Sequence, residues 1–398
     1  MKFYRAKLMF ISFLTYMIMA GLLTQVGIII DPMAKYLGIP ITEAASIFSY
    51  LTGGTLLGTI ISMFAYSRLE IRKVLRLNYL LFLVILALII FFNFQSAVMV
   101  SLYLLVIGAC CGIGLSGGAV IISKIFNEEK RASAFIATDC AFSAAGFIFP
   151  SLTTLLIASG VTWTGGYAVV GVIVLFVFLS TFIFQYPEEA PTEKIDAPTR
   201  PALYANFKSI INIRVILAGI ALGLYLLAQI TFLTWAPNYL QEVFQLSSQE
   251  SSLAVSNYWG PSIFGLITAA ILVNKFSARY MLVIILFVAI FITTFLNLTT
   301  SATAFLYATV IFGFFTSAIY KIGISIGSQQ IQNAPAILVT FLLTCGGIGS
   351  TAAPAFSAFF VGNFGIHSAM IITTTAFVVV CVLFIICLIL EKQATKKL

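Results

Sequence analysis

The chain reads as an all-α membrane protein of twelve transmembrane helices, arranged as two pseudo-symmetric halves of six. Three observations predict this. Hydrophobic residues make up 61% of the 398 and charged ones only 9%, with a mean hydropathy of +1.09, which leaves too little polar surface for a soluble fold. The apolar stretches are continuous and about 20 residues long, so spanning helices are expected and not the alternating strands of a barrel. The second six stretches echo the first six about 204 residues later. Repeated half-bundles around a shared path are how secondary transporters are built.

The expected spans are 8–30, 43–65, 74–94, 97–122, 132–158, 163–185, 210–236, 249–273, 279–298, 302–326, 336–361 and 366–390. The first follows Lys2, Arg5 and Lys7, is longer than a signal-peptide core and has no A-x-A site, so it is expected to stay uncleaved. Basic residues recur in alternate loops: Arg68, Arg72 and Lys73; Lys124, Lys130 and Arg131; Lys194, Arg200 and Lys208; Lys275 and Arg279; then Lys392, Lys396 and Lys397 in the tail. Of the 21 Lys and Arg, only Lys35 and Lys321 depart from that side. By the positive-inside rule both termini and the central connector are cytoplasmic, and the expected location is a bacterial inner membrane. The connector at 186–209 is rich in proline and charge and reads as a linker between halves at 1–185 and 210–398.

Several positions echo in register, which points to duplication. Gln25 and Gln229, Leu102-Tyr103 and Leu306-Tyr307, Pro150 and Pro354, and Trp163 and His367 are each 204 apart. Gly53 and Gly58 match Gly260 and Gly265 at 207, which implies three extra residues before the eighth span.

Several function classes are excluded. The net charge of +8 follows membrane topology, so no nucleic-acid partner is expected. The cysteines Cys110, Cys111, Cys140, Cys345, Cys381 and Cys387 lie in apolar spans without metal spacing, and His367 is the single histidine, at an outer helix end. No metal and no cofactor are expected. There is no P-loop and no H-E-x-x-H, and a membrane-embedded enzyme would need a cluster of His, Asp or Glu that is absent.

Charged residues inside spans are few and costly, and two stand deepest. Asp139 lies about seven residues into the fifth span, and Lys321 about six before the end of the tenth. Similar depth and opposite sign predict a pair across the halves, serving as a cytoplasmic gate or in proton coupling. The alternatives are snorkelling of Lys321 and local hydrogen bonding of Asp139. Asp31 is read as a solvated helix end, with a proton-relay role as the alternative, and Glu43 as a helix-start charge. The candidate substrate-binding residues are Gln25, Tyr225, Gln229, Trp235, Asn257, Tyr258, Trp259 and Tyr320. Amides and rings at mid-membrane can hold a polar organic solute, and helix–helix hydrogen bonding is the competing reading. Gly54-x-x-x-Gly58, Gly108-x-x-x-Gly112, Gly114-x-x-x-Gly118 and Gly323-x-x-x-Gly327 mark close helix contacts, either static or sliding.

Twelve helices in 6+6 halves with a central linker resemble the Major Facilitator Superfamily over essentially the whole length. The runs Phe10-Ile11-Ser12-Phe13-Leu14-Thr15-Tyr16, Thr138-Asp139, Phe147-Ile148-Phe149-Pro150, Thr316-Ser317-Ala318-Ile319-Tyr320, Gly327-Ser328-Gln329-Gln330 and Thr340-Phe341-Leu342-Leu343-Thr344-Cys345-Gly346 resemble the bacterial TsgA proteins, grouped near the fucose-permease-like sugar transporters. Lys321 departs from the TsgA pattern. The superfamily's G-x-x-x-D-R-x-G-R-R/K motif is reduced here to Ala65-Tyr66-Ser67-Arg68-Leu69-Glu70-Ile71-Arg72-Lys73. The fourth span also lacks the acid that the fucose-permease resemblance implies.

The expected function is alternating-access secondary transport of a small polar organic solute, sugar-like or a related metabolite, with protons as candidate coupling ion. The expected protein is a monomer in the lipid bilayer. The alternative is an efflux pump conferring resistance to a toxic compound.

Overall fold

The computed structural model describes residues 2–92, 95–126, 128–187, 212–273, 275–331 and 336–395. The expected linker at 186–209 therefore falls almost wholly outside the described residues. Helices are the only regular elements among them: α1 (Lys2–Leu23), α2 (Val26–Leu37), α3 (Ile41–Arg68), α4 (Ile71–Phe91), α5 (Ala97–Ile125), α6 (Glu128–Ala158), α7 (Gly165–Ile183), α8 (Ile213–Phe244), α9 (Ser248–Leu272), α10 (Ala278–Leu298), α11 (Ala302–Thr316), α12 (Ile319–Ser328), α13 (Ala336–Phe364) and α14 (His367–Thr395).

Eleven of the crossings are long and apolar enough to span a membrane. The twelfth, α9, has 25 residues but opens on Ser248, Gln249, Glu250, Ser251 and Ser252. Two crossings that read as continuous are broken. The first divides between α1 and α2 at Thr24 and Gln25, and the tenth between α11 and α12 at Ser317 and Ala318. Twelve crossings bring both ends of the chain to one face, the termini face.

Local chemistry sets the helix ends. Ser96, Asn212, Ser247 and Ser301 cap α5, α8, α9 and α11, and Ser247 with Glu250 forms a reciprocal capping box. Gly160 and Gly365 turn the chain before α7 and α14 with φ of 83° and 80°. Gly38 ends α2 at φ 66°, and its counterpart 207 residues on, Gln245, ends α8 at φ 57°. The second half keeps a left-handed turn that only glycine adopts without strain. Asp31, expected at a solvated helix end, lies inside α2 and pairs with Lys35 at 2.7 Å, because the helix runs through Pro32 to Leu37.

The first seven helices pack mainly on one another, and so do the last seven. Within the first half, α3 crosses α5 with no room for side chains. A methyl on Gly54, Gly58, Gly108 or Gly112 would strike the facing backbone at Leu105, Ala109, Leu51 or Thr55 respectively. Gly265 and Gly313 do the same where α9 crosses α11. Gly114 and Gly118 face Tyr79 and Thr15, while Gly323 and Gly327 face Leu222 and Leu342. The predicted small-residue faces thus pack inside the halves. The glycines between halves are others: Gly27 against α8, Gly53, Gly347 and Gly362 on the α3–α13 seam, and Gly146 and Gly260 on the α6–α9 seam. Large exposed side chains such as Leu77, Phe264, Ile284 and Phe291 give the bundle an apolar exterior.

Candidate functional site

The seams between halves repeat with the sequence. On one, the Ala355 N–H of α13 donates to Ser49 Oγ of α3 at 3.0 Å. On the other, Ser151 of α6 and Ser256 of α9 share a hydrogen bond of 2.9 Å. Ser49 and Ser256 are 207 apart, Ser151 and Ala355 are 204 apart, and each of the latter follows a proline inside its helix, Pro150 or Pro354. Proline removes a backbone bond within its helix, and a hydroxyl from the opposite half sits beside each weakened turn. A third contact lies away from the termini face. Asn238 Nδ2 of α8 donates to the Gly27 carbonyl of α2 at 3.2 Å, and a methyl at Gly27 would meet the backbone of Leu233 and Thr234.

Four of the candidate binding residues meet around the broken tenth crossing. The Tyr225 hydroxyl donates to the Thr316 carbonyl at 2.9 Å, and Tyr258 bonds the Thr316 hydroxyl at 3.0 Å. Gln229 Nε2 donates to the Tyr258 hydroxyl at 2.7 Å. The Tyr320 ring stacks on Tyr225 with centroids 6.3 Å apart. With Ser262 donating to the Gly313 carbonyl at 3.1 Å, these groups take up carbonyls freed where α11 ends. Trp259 packs against Tyr258 and across the seam on Phe142 of α6, at 5.2 and 5.3 Å. Its indole N–H is buried without a hydrogen-bond partner.

The other three candidates are committed to helix–helix bonds. Gln25 is buried; its Nε2 donates to the Gly21 carbonyl and its Oε1 accepts from Thr153 at 2.6 Å. Trp235 is buried and donates to Ser357 at 2.9 Å, and Asn257 donates to the Leu306 carbonyl at 3.3 Å. The sequence-equivalent glutamines therefore differ in role. Gln25 ties α6 to the break in its own crossing, and Gln229 joins the network.

Asp139 and Lys321 meet: Lys321 Nζ is 3.0 Å from Asp139 Oδ2, joining α6 of one half to α12 of the other. Tyr16 of α1 hydrogen-bonds Thr138, next to Asp139. Tyr16 and Thr138 were not singled out as site residues in the sequence, although both fall in the TsgA-like runs. At the termini face, Arg72 and Arg76 donate to the Thr181 carbonyl at the end of α7 at 2.7 and 2.9 Å. The counterpart of Arg72 at 207, Arg279, instead pairs with Glu391 of α14. His367 is exposed and lies edge-on to Tyr239. Among the described residues no group of three His, Cys, Asp or Glu is placed to hold a metal.

Comparison with known proteins agrees with this architecture. A protein TsgA homolog of Buchnera aphidicola subsp. Baizongia pistaciae is 28% identical over 386 residues, covering 96% of this chain and 95% of its own. Protein TsgA of Shigella flexneri is 28% identical over 389 residues, covering 97% and 95%. Among solved structures, a mutant form of the nucleoside transporter NupG superposes with a TM-score of 0.78 at 12% identity, covering 96% of this chain and 99% of that one. A D-xylose-proton symporter gives 0.76 at 13%, covering 96% and 97%. A sequence model of the Major Facilitator Superfamily matches residues 8–336. With twelve crossings in two repeated halves and that match, the chain is a multi-pass membrane protein that belongs to the Major Facilitator Superfamily of transporters.

Proposed function

We propose that the protein carries a small polar organic solute, sugar-like or a related metabolite, by alternating access, with protons as coupling ion. The observation that carries this reading is the network of Tyr225, Gln229, Tyr258 and Thr316 at the broken tenth crossing. Interrupted helices bring backbone groups to mid-membrane; here the freed carbonyls are taken by Tyr225 and Ser262, and a solute binds by exchanging for these bonds as the halves move. Trp259 and Tyr320 add ring faces. The fold neighbours named for a nucleoside and for D-xylose with a proton favour the same solute class.

The moving bodies are the halves at 1–185 and 210–398, linked by 186–209, and the protein acts as a monomer in an inner membrane with both termini in the cytoplasm. The α2–α8 contact at Gly27 is the seam that closes and opens on the far face as the halves rock. Asp139 is the coupling carboxylate, and its pairing with Lys321 closes or opens with the state of the termini face. The rings of Phe142, Phe312 and Phe377 around the network support a second reading, export of an aromatic toxic compound. A susceptibility panel of cells with and without the protein separates the two.

The test is uptake into proteoliposomes. A thermal-shift screen of metabolites supplies candidate solutes. An imposed proton gradient is expected to drive uptake, and Asp139→Asn is expected to abolish that drive while leaving exchange. Transport by the intact protein that ignores the gradient defeats the coupling model.

A further inference from the structure

We propose that Lys321 is an anion-binding site for a carboxylate borne by the transported solute, and that Asp139 is the resident counter-ion which this carboxylate displaces. The inference rests on the transport reading above and adds the charge of the solute to it.

The pair is unlike the other ion pairs of the described residues. Lys35–Asp31 and Lys73–Glu70 are each within a helix or at its start, and Arg279–Glu391 stays within one half. Lys321–Asp139 alone among them joins the two halves, and the Lys321 side chain remains 55% exposed while paired. It also borders the polar network. Asp139 and Phe142 are three residues apart and share a face of α6, and the Phe142 ring lies 5.3 Å from Trp259. Tyr320, next to Lys321, stacks on Tyr225.

Charge balance selects the solute. When the halves move apart the pair separates, and each charge loses its partner, the more enclosed Asp139 at the greater cost. A proton on Asp139 neutralises one partner. Lys321 then needs a single negative charge, which a carboxylate supplies, whereas a phosphate dianion brings an excess and a neutral sugar supplies none. One ammonium is a point charge without the planar fork that favours phosphate. An acid entering with one proton, or a zwitterion whose ammonium takes Asp139, satisfies both partners. Both place a carboxylate on Lys321.

The test uses acetate as the probe. In purified Asp139→Asn protein, Lys321 loses its counter-ion. Sodium acetate at tens of millimolar is expected to raise the unfolding temperature by about 2 °C over equal sodium chloride. The double variant Asp139→Asn/Lys321→Gln is expected not to respond. Equal shifts in both variants, or none in either, overturn the anion site. In wild-type proteoliposomes the accepted solutes are expected to include carboxylates, with neutral analogues taken up at least tenfold less well. Uptake confined to neutral solutes also overturns the proposal while leaving the transport reading intact. An acetate response without any solute uptake does the reverse. A gradient requirement identifies an acid carried with a proton; its absence identifies a zwitterion and defeats the proton coupling proposed above.

Discussion

Lys321 of α12 holds its ammonium 3.0 Å from the carboxylate of Asp139 in α6, and the bond runs between the two halves of the bundle. A fully exposed pair contributes up to about 1 kcal/mol, and breaking a buried one costs about 3–5 kcal/mol. With side-chain exposures of 55% and 21%, this pair falls between those limits. Asp139→Lys and Lys321→Asp are each expected to lower the unfolding temperature and transport, and the double reversal to recover most of both. A double reversal no better than the singles shows that the two charges act independently.

The α2–α8 seam makes a second prediction. A methyl at Gly27 meets the Leu233 and Thr234 carbonyls, which belong to backbone and cannot rotate away. Gly27→Ala is expected to cost about 1–3 kcal/mol, the usual range for overpacking, and to slow transport by disfavouring closure of the far face. Gly171→Ala, where the new methyl meets only Leu86 Cδ1 at 3.4 Å, is the control. Thermal unfolding and uptake rates measured together check it, and equal behaviour of the two variants refutes it.

Ser49 and Ser256 occupy equivalent places on opposite seams. Ser49→Ala and Ser256→Ala are each expected to cost about 1 kcal/mol. Their effects are expected to add, because the two seams share no partner. Denaturant titration of the single and double variants in detergent measures this, and a coupling energy well above about 0.5 kcal/mol contradicts it.

The candidate binding residues divide into two groups with different signatures. Tyr258→Phe removes the hydroxyl that joins Gln229 to Thr316 and is expected to raise KM about tenfold, alongside a stability loss of about 1–3 kcal/mol. Trp235→Phe removes the donor to Ser357 in a fully buried setting and is expected to lower stability by about 1–3 kcal/mol with KM unchanged. Concentration-dependent uptake and thermal unfolding of both variants decide the matter; the opposite pattern would exchange their roles.

The broad architecture was legible because a bilayer imposes it. Span length, the loop positions of Arg72 and Arg279, and the 204-residue echo of Pro150 in Pro354 all follow from covering hydrocarbon twelve times with a duplicated chain. Asp139 and Lys321 were also legible, since charge inside an apolar span is rare enough to mark itself. The breaks at Gln25 and Ser317 were not. No proline or glycine stands at either one, and each is held by side chains distant in sequence, Thr153 for the first and Tyr225 for the second.

By itself the sequence determined that this is a two-fold repeated helical membrane protein, and which two charges inside it demand explanation. Only the tertiary structure decided which polar side chains are spent on holding helices together. Gln25 and Gln229 are equivalent in sequence, yet one is locked to Thr153 and the other reaches Tyr258 at the broken crossing. The physical reason is that hydropathy and periodicity depend on residue type and spacing along one helix. The partner of a buried amide depends on which neighbour the packing brings within hydrogen-bond reach.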